Sequence, residues 1–170
     1  MEIDLADSDR NIYESLALRV ARHPSESEDF LVARVLAYCY EYAPGIAFSR
    51  GGLSDPDEPP IAIRDDGGAM RAWIDIGTPA ADRLHRASKA VPRVAVYVHR
   101  DAAQWLAGLS SARIHRAEEL ELYALDRALI AACAARLDRR VSVAVAISDG
   151  EVFVSYADAT VSGRVSRLRL

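Results

Sequence analysis

Acidic side chains stand at three places in this chain where a metal-dependent nuclease would need them. Glu26 opens a predicted helix, Asp57-Glu58 precedes a predicted strand, and Asp75 lies inside a second strand. Mg²⁺ takes oxygen ligands and keeps coordination positions open for water and phosphate, so converging carboxylates suit metal-assisted phosphodiester hydrolysis. These residues therefore raise the hypothesis of a phosphodiester-cleaving site, and the nearby cations are its first test.

The cations around these carboxylates are less regular. Such an enzyme usually places a lysine two residues after the strand carboxylate, and this position is Gly77. Lys89, the only lysine of the chain, lies on the following helix, which also carries Arg83 and Arg86. Residues 86 and 89 share a helix face because they are three positions apart. Arg83, Arg86 and Lys89 are the predicted phosphate contacts, and solvated helix charge is the alternative interpretation.

Length and composition bound the fold. At 170 residues the chain can bury a core as one domain, residues 1–170. Half of the residues are apolar and 27% are charged, as in soluble globular proteins. No apolar run has the length of a membrane span, and the acidic first residues do not resemble a secretory signal, so a cytoplasmic protein is expected. Cys39 and Cys133 lie in apolar helical segments and are predicted to be buried free thiols.

Charge is distributed unevenly along the chain. Residues 1–75 carry 15 acidic and 7 basic side chains, whereas residues 76–170 carry 10 acidic and 14 basic ones. The net charge of the whole chain is −4, yet its second part is basic. A basic region on an acidic protein would suit contacts with phosphate groups.

The elements that must position these residues follow from hydrophobic periodicity and turn signals. Ser25 and Glu28 form a predicted capping box at the start of the first helix, and Pro44-Gly45 ends it. The segments Asp65–Gly68 and Asp149-Gly150 predict hairpins. Alternating strands and helices indicate a mixed central β-sheet flanked by helices, of the α/β (α+β) class. Strands are predicted at 16–21, 46–48, 61–64, 70–76, 94–98, 120–125, 141–147, 151–156 and from 161, and helices at 25–42, 78–90, 101–109 and 127–137.

A family resemblance is carried by motifs that occur in the same order along the chain. From the Ala6-Asp7 region to Ile147–Gly150, the sequence resembles the YaeQ family of bacterial proteins. That family is assigned to the PD-(D/E)xK nuclease-like superfamily, which implies a restriction-endonuclease-like core. The motifs are Ala21-Arg22-His23-Pro24-Ser25-Glu26, Phe48-Ser49-Arg50-Gly51, Asp57-Glu58-Pro59, Trp73-Ile74-Asp75-Ile76-Gly77 and Arg83–Ala87.

The resemblance implies roles for particular residues and also shows departures. Glu26 matches the helix glutamate and Asp75 the strand carboxylate of the nuclease-like metal site, which would hold Mg²⁺. YaeQ sequences usually have an acidic residue where this chain has Pro60, and a lysine where it has Arg86. Proline cannot bind a metal, and arginine is effectively never neutral, so it cannot act as a base.

Two substitutes would have to act together to restore such a site. Glu58 would replace the missing strand carboxylate as a metal ligand, and Lys89 or Arg86 would meet the scissile phosphate. The main hypothesis is therefore a YaeQ-like protein with a degenerate metal site that binds nucleic acid without efficient cleavage.

Two other functions stay open on the sequence alone. One is an active Mg²⁺-dependent nuclease with Glu26, Glu58 and Asp75 as metal ligands. The other is a protein-interaction scaffold in which Asp75 forms a structural ion pair with Arg22, Arg50 or the Arg86 region. Helix capping would equally explain Glu26.

The resemblance also bears on the first residues. Members of the family usually have an additional strand ahead of the segment Ala6–Arg10, so either most of that strand is missing here or the start codon is placed too late. An open sheet edge at that place would allow pairing between copies, so a monomer or a weak dimer is expected.

Overall fold

The structure, a computed structural model, describes residues 1–50 and 55–170. Within them, ten strands form one mixed sheet in the order β2-β1-β8-β9-β10-β7-β6-β5-β4-β3. The strands are β1 (Glu2–Asp7), β2 (Ile12–Ala17), β3 (Ile46–Phe48), β4 (Ile61–Arg64), β5 (Met70–Ile76), β6 (Arg93–Val98), β7 (Glu121–Leu125), β8 (Ser142–Ser148), β9 (Glu151–Ser155) and β10 (Thr160–Leu168). The helices are α1 (Glu28–Tyr40), α2 (Ala81–Ala90), α3 (Ala103–Ser110) and α4 (Arg127–Ala134).

The helices pack on both faces of the sheet, as the sequence predicted. On one face, α1 and α4 form a core with apolar residues from both halves of the sheet. On the other face, α2 and α3 pack against Trp73 and the valines of β6. The mixed α/β fold with a large central sheet is therefore confirmed.

Helix α1 is buried between the sheet and α4. Its nine residues Leu31–Cys39 are all buried, including the charged Arg34. Apolar residues of β1, β8 and β9 share one core with it, together with residues of β5 and β6, which lie near the opposite end of the strand order. A helix that is buried on every side is typical of a core position, in contrast to the amphipathic α2. The amino-terminal and carboxyl-terminal ends of α1 lie at opposite edges of the sheet.

Parallel pairing determines which residues meet at each edge. Strands β5, β6 and β7 are parallel neighbours, and β1 pairs in parallel with β8. Following the pairings across the sheet, the last residues of β1 and β8 lie at the same edge as the first residues of β6 and β7. The carboxyl ends of β5 and β6 face the opposite edge, near the first turn of α1, where Phe30 contacts His99.

The first forty residues differ from the sequence prediction. Residues Glu2–Asp7 form a strand that is paired on both sides, so the expectation of a missing first strand with an open edge there was wrong. The predicted strand at 16–21 is β2, Ile12–Ala17, and the open edges of the sheet are β2 and β3.

The helix start also differs, because Ser27 and not Ser25 caps α1. The Ser25 hydroxyl group instead contacts the ring of His23.

Other boundaries differ by a few residues. Helix α1 ends at Tyr40, before Pro44-Gly45, and α4 ends at Ala134. Both hairpins form where Asp65–Gly68 and Asp149-Gly150 predicted them. Cys39 and Cys133 are buried free thiols, as expected, and burial raises the pKa of Cys39 to about 12. Gly51, the last residue of the motif Phe48-Ser49-Arg50-Gly51, lies outside the described residues. No helix among the described residues is long and apolar enough to cross a membrane.

Candidate functional site

Asp75 is held in a buried ion pair. Its side chain is 4% exposed and accepts hydrogen bonds from Arg83 Nε and Nη2 at 2.9–3.1 Å and from Trp73 Nε1 at 2.8 Å. The Arg83 guanidinium lies 4.9 Å from the centre of the Trp73 ring, a cation–π distance. Both carboxylate oxygens are therefore occupied by donors of the protein. The sequence considered Arg22, Arg50 or the Arg86 region as the partner, and the structure places Arg83 there, one helical turn before Arg86.

Glu58 approaches this pair through its backbone and not through its carboxylate. Its carbonyl oxygen accepts a hydrogen bond from Arg83 Nη2 at 3.0 Å. Its carboxylate accepts from the Ser49 hydroxyl group at 3.0 Å and lies 3.7 Å from Arg64 Nη2. Pro60, the position for which the resemblance implied an acidic residue, is buried.

Glu26 is also buried, and its neighbours belong to the α1 side of the sheet. One carboxylate oxygen, Oε2, accepts from the backbone N–H of His23 at 3.0 Å and from Arg34 Nη2 at 3.3 Å. The other, Oε1, lies 3.1 Å from Arg34 Nη2 but makes no hydrogen bond to a described residue. Glu26 precedes the N-cap residue and does not cap the helix itself.

The three predicted metal ligands therefore do not converge. Side chains two residues apart on a strand share a face, so Asp75 lies with Trp73 on the α2 side, whereas Ile74 and Ile76 face α1. Glu26 is bonded on the α1 side. Within residues 1–50 and 55–170, no group of three or more His, Cys, Asp or Glu side chains is placed to hold a metal ion.

Gly77 has a conformational reason to be glycine. Its φ is +89°, in the left-handed region that side chains with a Cβ rarely adopt. A Cβ there would meet only ordinary contacts, with His99 at 3.8 Å and Phe30 at 4.0 Å. Backbone strain, and not lack of space, therefore opposes a lysine at this position.

Arg86 and Lys89 point away from the carboxylates. Both are exposed on α2, and neither makes an ion pair with a described residue, whereas Arg83 of the same helix is bound to Asp75. Of the three predicted phosphate contacts, Arg86 and Lys89 are therefore accessible, and Arg83 is occupied.

A second group of cations surrounds the amino-terminal end of α1, and the sequence did not single it out. A cavity of about 290 Å³ is lined there by Arg19, Arg22, His23, Arg34 and Arg50, and by no carboxylate among the described residues. We call this cavity the α1 pocket. Arg22 bonds to the Glu26 carbonyl group and to Glu28, whereas Arg19 and Arg50 make no ion pair with a described residue. The available signal was Arg34, a charge inside the apolar run Leu31–Cys39.

The carboxyl-terminal end of α1 carries a cluster of charges that are all paired, and the sequence did not predict it. Arg93 forms two-pronged ion pairs with Glu41 and Glu121, at N–O distances of 2.6–3.0 Å. Glu41 also accepts a hydrogen bond from the Tyr97 hydroxyl group at 2.6 Å. We call these residues, with Tyr123, the Arg93 cluster. Burial and the adjacent Glu41 raise the pKa of Tyr97 well above its ordinary value.

The Arg93 cluster borders a second cavity. This cavity, of about 370 Å³, is lined by Arg93, Glu41, Tyr40 and Tyr123 together with Asp7 and Arg10 of the β1 end. Asp7 is buried and accepts from Arg10 Nε at 2.6 Å. Arg10 in turn donates to the carbonyl groups of Cys39 and Tyr42 at the end of α1. Each charge lining this cavity except Asp9 thus has an ion-pair partner, and Asp9 accepts from two backbone N–H groups.

His99 directly follows β6 and lies beside Gly77. Its ring is buried, packs edge-on against Phe30 at 5.9 Å, and neither nitrogen is hydrogen-bonded to a described residue. Burial and the nearby charge of Arg100 lower the pKa of His99, and Asp29 opposes that shift. His99 is therefore a packing residue of the core beside α1.

Comparison with known proteins gives one consistent result. The family model described as "YaeQ protein" matches residues 1–165. The chain is 31% identical over 156 residues to a protein of Salmonella typhi and 30% identical over 154 residues to one of Escherichia coli, both called "Uncharacterized protein YaeQ". These alignments cover 91% and 90% of this chain and 86% and 84% of the relatives.

Solved structures agree with the sequence comparison. The crystal structure of the YaeQ protein from Pseudomonas syringae has a TM-score of 0.90 to this chain at 30% identity, with coverage of 99% of this chain and 93% of the other. For the YaeQ protein from Xanthomonas axonopodis pv. citri, the TM-score is 0.88 at 30% identity, with coverage of 98% and 94%.

Proposed function

The chain belongs to the YaeQ family, and we propose that it binds nucleic acid through a nuclease-like fold whose metal site is degenerate. The observation that carries this proposal is the α1 pocket, where four arginines and a histidine meet without a carboxylate among the described lining residues. Phosphate groups dominate the affinity of proteins for nucleic acid, and arginine binds them through two parallel N–H groups.

The charge balance around the α1 pocket favours an anion. Glu26 compensates Arg34, and Glu28 compensates Arg22. Arg19 and Arg50 have no such partner among the described residues, and both are exposed. The charges of Arg19 and Arg50 therefore give the α1 pocket a positive potential, even though the net charge of the whole chain is −4.

The state of Asp75 supports the second half of the proposal. A metal ligand needs free oxygen lone pairs, and both oxygens of Asp75 accept hydrogen bonds from Arg83 or Trp73. The positive charge of Arg83 would also repel Mg²⁺ from this place. Binding without efficient cleavage is therefore the function that these contacts favour.

Fluorescence anisotropy with a labelled single-stranded 20-mer in a salt series tests the binding. The affinity should fall steeply as salt rises, and the double variant Arg19→Gln/Arg50→Gln should bind at least about tenfold more weakly with a shallower salt dependence. The matched control is Arg113→Gln/Arg164→Gln, which removes two exposed arginines that do not line the α1 pocket.

Incubation of the same strands with Mg²⁺ or Mn²⁺ tests the chemistry. We expect no cleavage of single- or double-stranded DNA or RNA above the background of a blank purification. Cleavage that disappears in Asp75→Ala would establish the active nuclease instead. Absence of nucleic-acid affinity at low salt would leave the protein-interaction scaffold.

A further inference from the structure

The innermost group of the α1 pocket is the guanidinium of Arg34. The residue is 5% exposed, and its Nη2 donates to the Ala21 carbonyl group at 2.8 Å and to Glu26 Oε2 at 3.3 Å. Its Nε is buried, and neither Nε nor Nη1 makes a hydrogen bond to a described residue. The neighbouring Phe48 ring, 5.4 Å from the guanidinium carbon, forms an apolar wall.

This arrangement leaves a buried cation incompletely satisfied. A guanidinium offers five N–H groups, and a buried donor without an acceptor is costly. Burial lowers the pKa of Arg34, and Glu26 opposes this shift but bonds to only one of the terminal nitrogens. By contrast, the donors of Arg93 at the other end of α1 are taken by two carboxylates. A ligand with several anionic oxygens would supply the acceptors that Arg34 lacks.

The size of the α1 pocket limits what that ligand can be. A cavity of about 290 Å³ lies at the lower end of the range for small-molecule sites, so it suits the end of a strand and not a duplex. A terminal phosphate carries about −1.5 to −2 charges near neutral pH and three terminal acceptor oxygens. An internal phosphodiester carries only one charge. A pocket lined by several arginines therefore distinguishes the two.

We infer that the α1 pocket binds a phosphate monoester, namely the terminal phosphate of a nucleic-acid strand. Arg34 is the buried anchor, and Arg19 and Arg50 contact the same phosphate from the exposed rim. This inference rests on the proposed function for the identity of the strand, but the monoester site itself does not require it.

Matched oligonucleotides test the inference. Single-stranded 12-mers with a 5′-phosphate, a 3′-phosphate or two hydroxyl ends are compared by competition against a labelled strand at constant salt. We expect one phosphorylated end to improve the affinity about tenfold, because it adds charge-assisted hydrogen bonds to arginine.

Two variants test whether the α1 pocket causes the preference for a phosphorylated end. Arg34→Lys keeps the charge but loses the planar fork, so the preference for the phosphorylated end should fall to about twofold or less. Arg50→Gln should lower the preference while leaving the melting temperature unchanged. Arg164→Gln serves as the matched control and should keep the full preference. A melting curve for each variant verifies that it is folded, and Arg50→Gln keeps the test valid if Arg34→Lys is not.

Inorganic phosphate and adenosine monophosphate separate the possible failures. Equal affinity for phosphorylated and unphosphorylated ends would overturn the inference and leave nucleic-acid binding intact. Monophosphate binding that depends on Arg34, without any strand binding, would refute the proposed function but keep the monoester site. A full preference retained in both variants would place the phosphate elsewhere and overturn the inference.

Discussion

The two ends of α1 use the same residue types in opposite ways. At the carboxyl-terminal end, Arg93 lies between Glu41 and Glu121, and the hydroxyl group of Tyr97 adds a further hydrogen bond. At the amino-terminal end, Arg34 has one carboxylate partner, and its Nε has none among the described residues. The first end is electrostatically complete, whereas the second lacks acceptors.

This difference separates structural charge from charge that is available to a ligand. A buried ion pair whose donors and acceptors are all used contributes to a unique fold but has little left to offer a partner. An arginine with unused donors in a cavity has the opposite character. The Asp75–Arg83 pair belongs to the first kind, although it lies at the same edge of the sheet as the α1 pocket.

The largest effect on stability is expected at the Arg93 cluster. Arg93→Met would leave Glu41, whose side chain is 7% exposed, without an ion-pair partner among the described residues, and Glu121 with only Arg167 at 3.9 Å. Removing one partner of a buried ion pair costs about 3 kcal/mol or more. Urea unfolding at pH 7 would measure the loss of free energy. Arg140→Met, which removes an exposed arginine, should cost less than about 0.5 kcal/mol, and an equal small cost for both would show that the cluster is not structural.

A smaller loss of unfolding free energy is expected when the Asp75–Arg83 ion pair is broken. Asp75→Asn removes the negative charge beside Arg83, whose side chain is 21% exposed and can partly hydrate. The expected cost is about 2 kcal/mol, measured in the same denaturation experiment. Addition of Mg²⁺ should not raise the melting temperature of either protein. A rise with Mg²⁺ in the unmodified chain that is lost in Asp75→Asn would instead identify Asp75 as a metal ligand.

The pH dependence of stability tests the packing of His99 at the amino-terminal end of α1. Because its pKa is lowered in the folded state, the unfolded chain binds the proton more readily. The contribution of neutral His99 to the unfolding free energy is complete above the pKa of histidine in the unfolded chain, about 6.5, and is lost as pH falls below that value. His99→Phe should therefore reduce the decline in unfolding free energy between pH 7 and pH 5. His115→Phe, which changes an exposed histidine, should keep the full decline, and an unchanged slope in His99→Phe would contradict the assignment.

The smallest effect on stability is expected at the rim of the α1 pocket. Arg50→Gln changes an exposed side chain without an ion-pair partner among the described residues, so its cost should stay below about 0.5 kcal/mol. Its effect should appear in the affinity for phosphate-containing ligands. A large loss of stability would place Arg50 among the structural arginines and remove the contrast between the two ends.

Much of the fold was predictable because it depends on local signals. The hairpins at Asp65–Gly68 and Asp149-Gly150 form as their turn residues indicate, and the buried character of β6 follows from its unbroken apolar run. The predictions failed where local signals were weak or competed. The strand Glu2–Asp7 includes three acidic residues, and Ser25 competed with Ser27 for the cap position.

The candidate site was predicted less well, since it depends on contacts between distant residues. Sequence reasoning considered a structural ion pair for Asp75 but not Arg83 as its partner. It did not single out Arg34, because the partners of a charge inside an apolar helix are unknown until the surrounding strands are placed. The Arg93 cluster joins residues 41, 93 and 121, and no sequence pattern connects them.

The sequence by itself determined the family, the order of most elements and the residue types available for chemistry, because motifs and periodicity act over short distances along the chain. Only the tertiary structure decided which of those residues are free. Alternation along β5 directs Asp75 to the face opposite Glu26, and the chain path brings Arg83 to Asp75 and leaves Arg34 short of acceptors. The availability of a charge depends on its partners in space, which the residue type does not reveal.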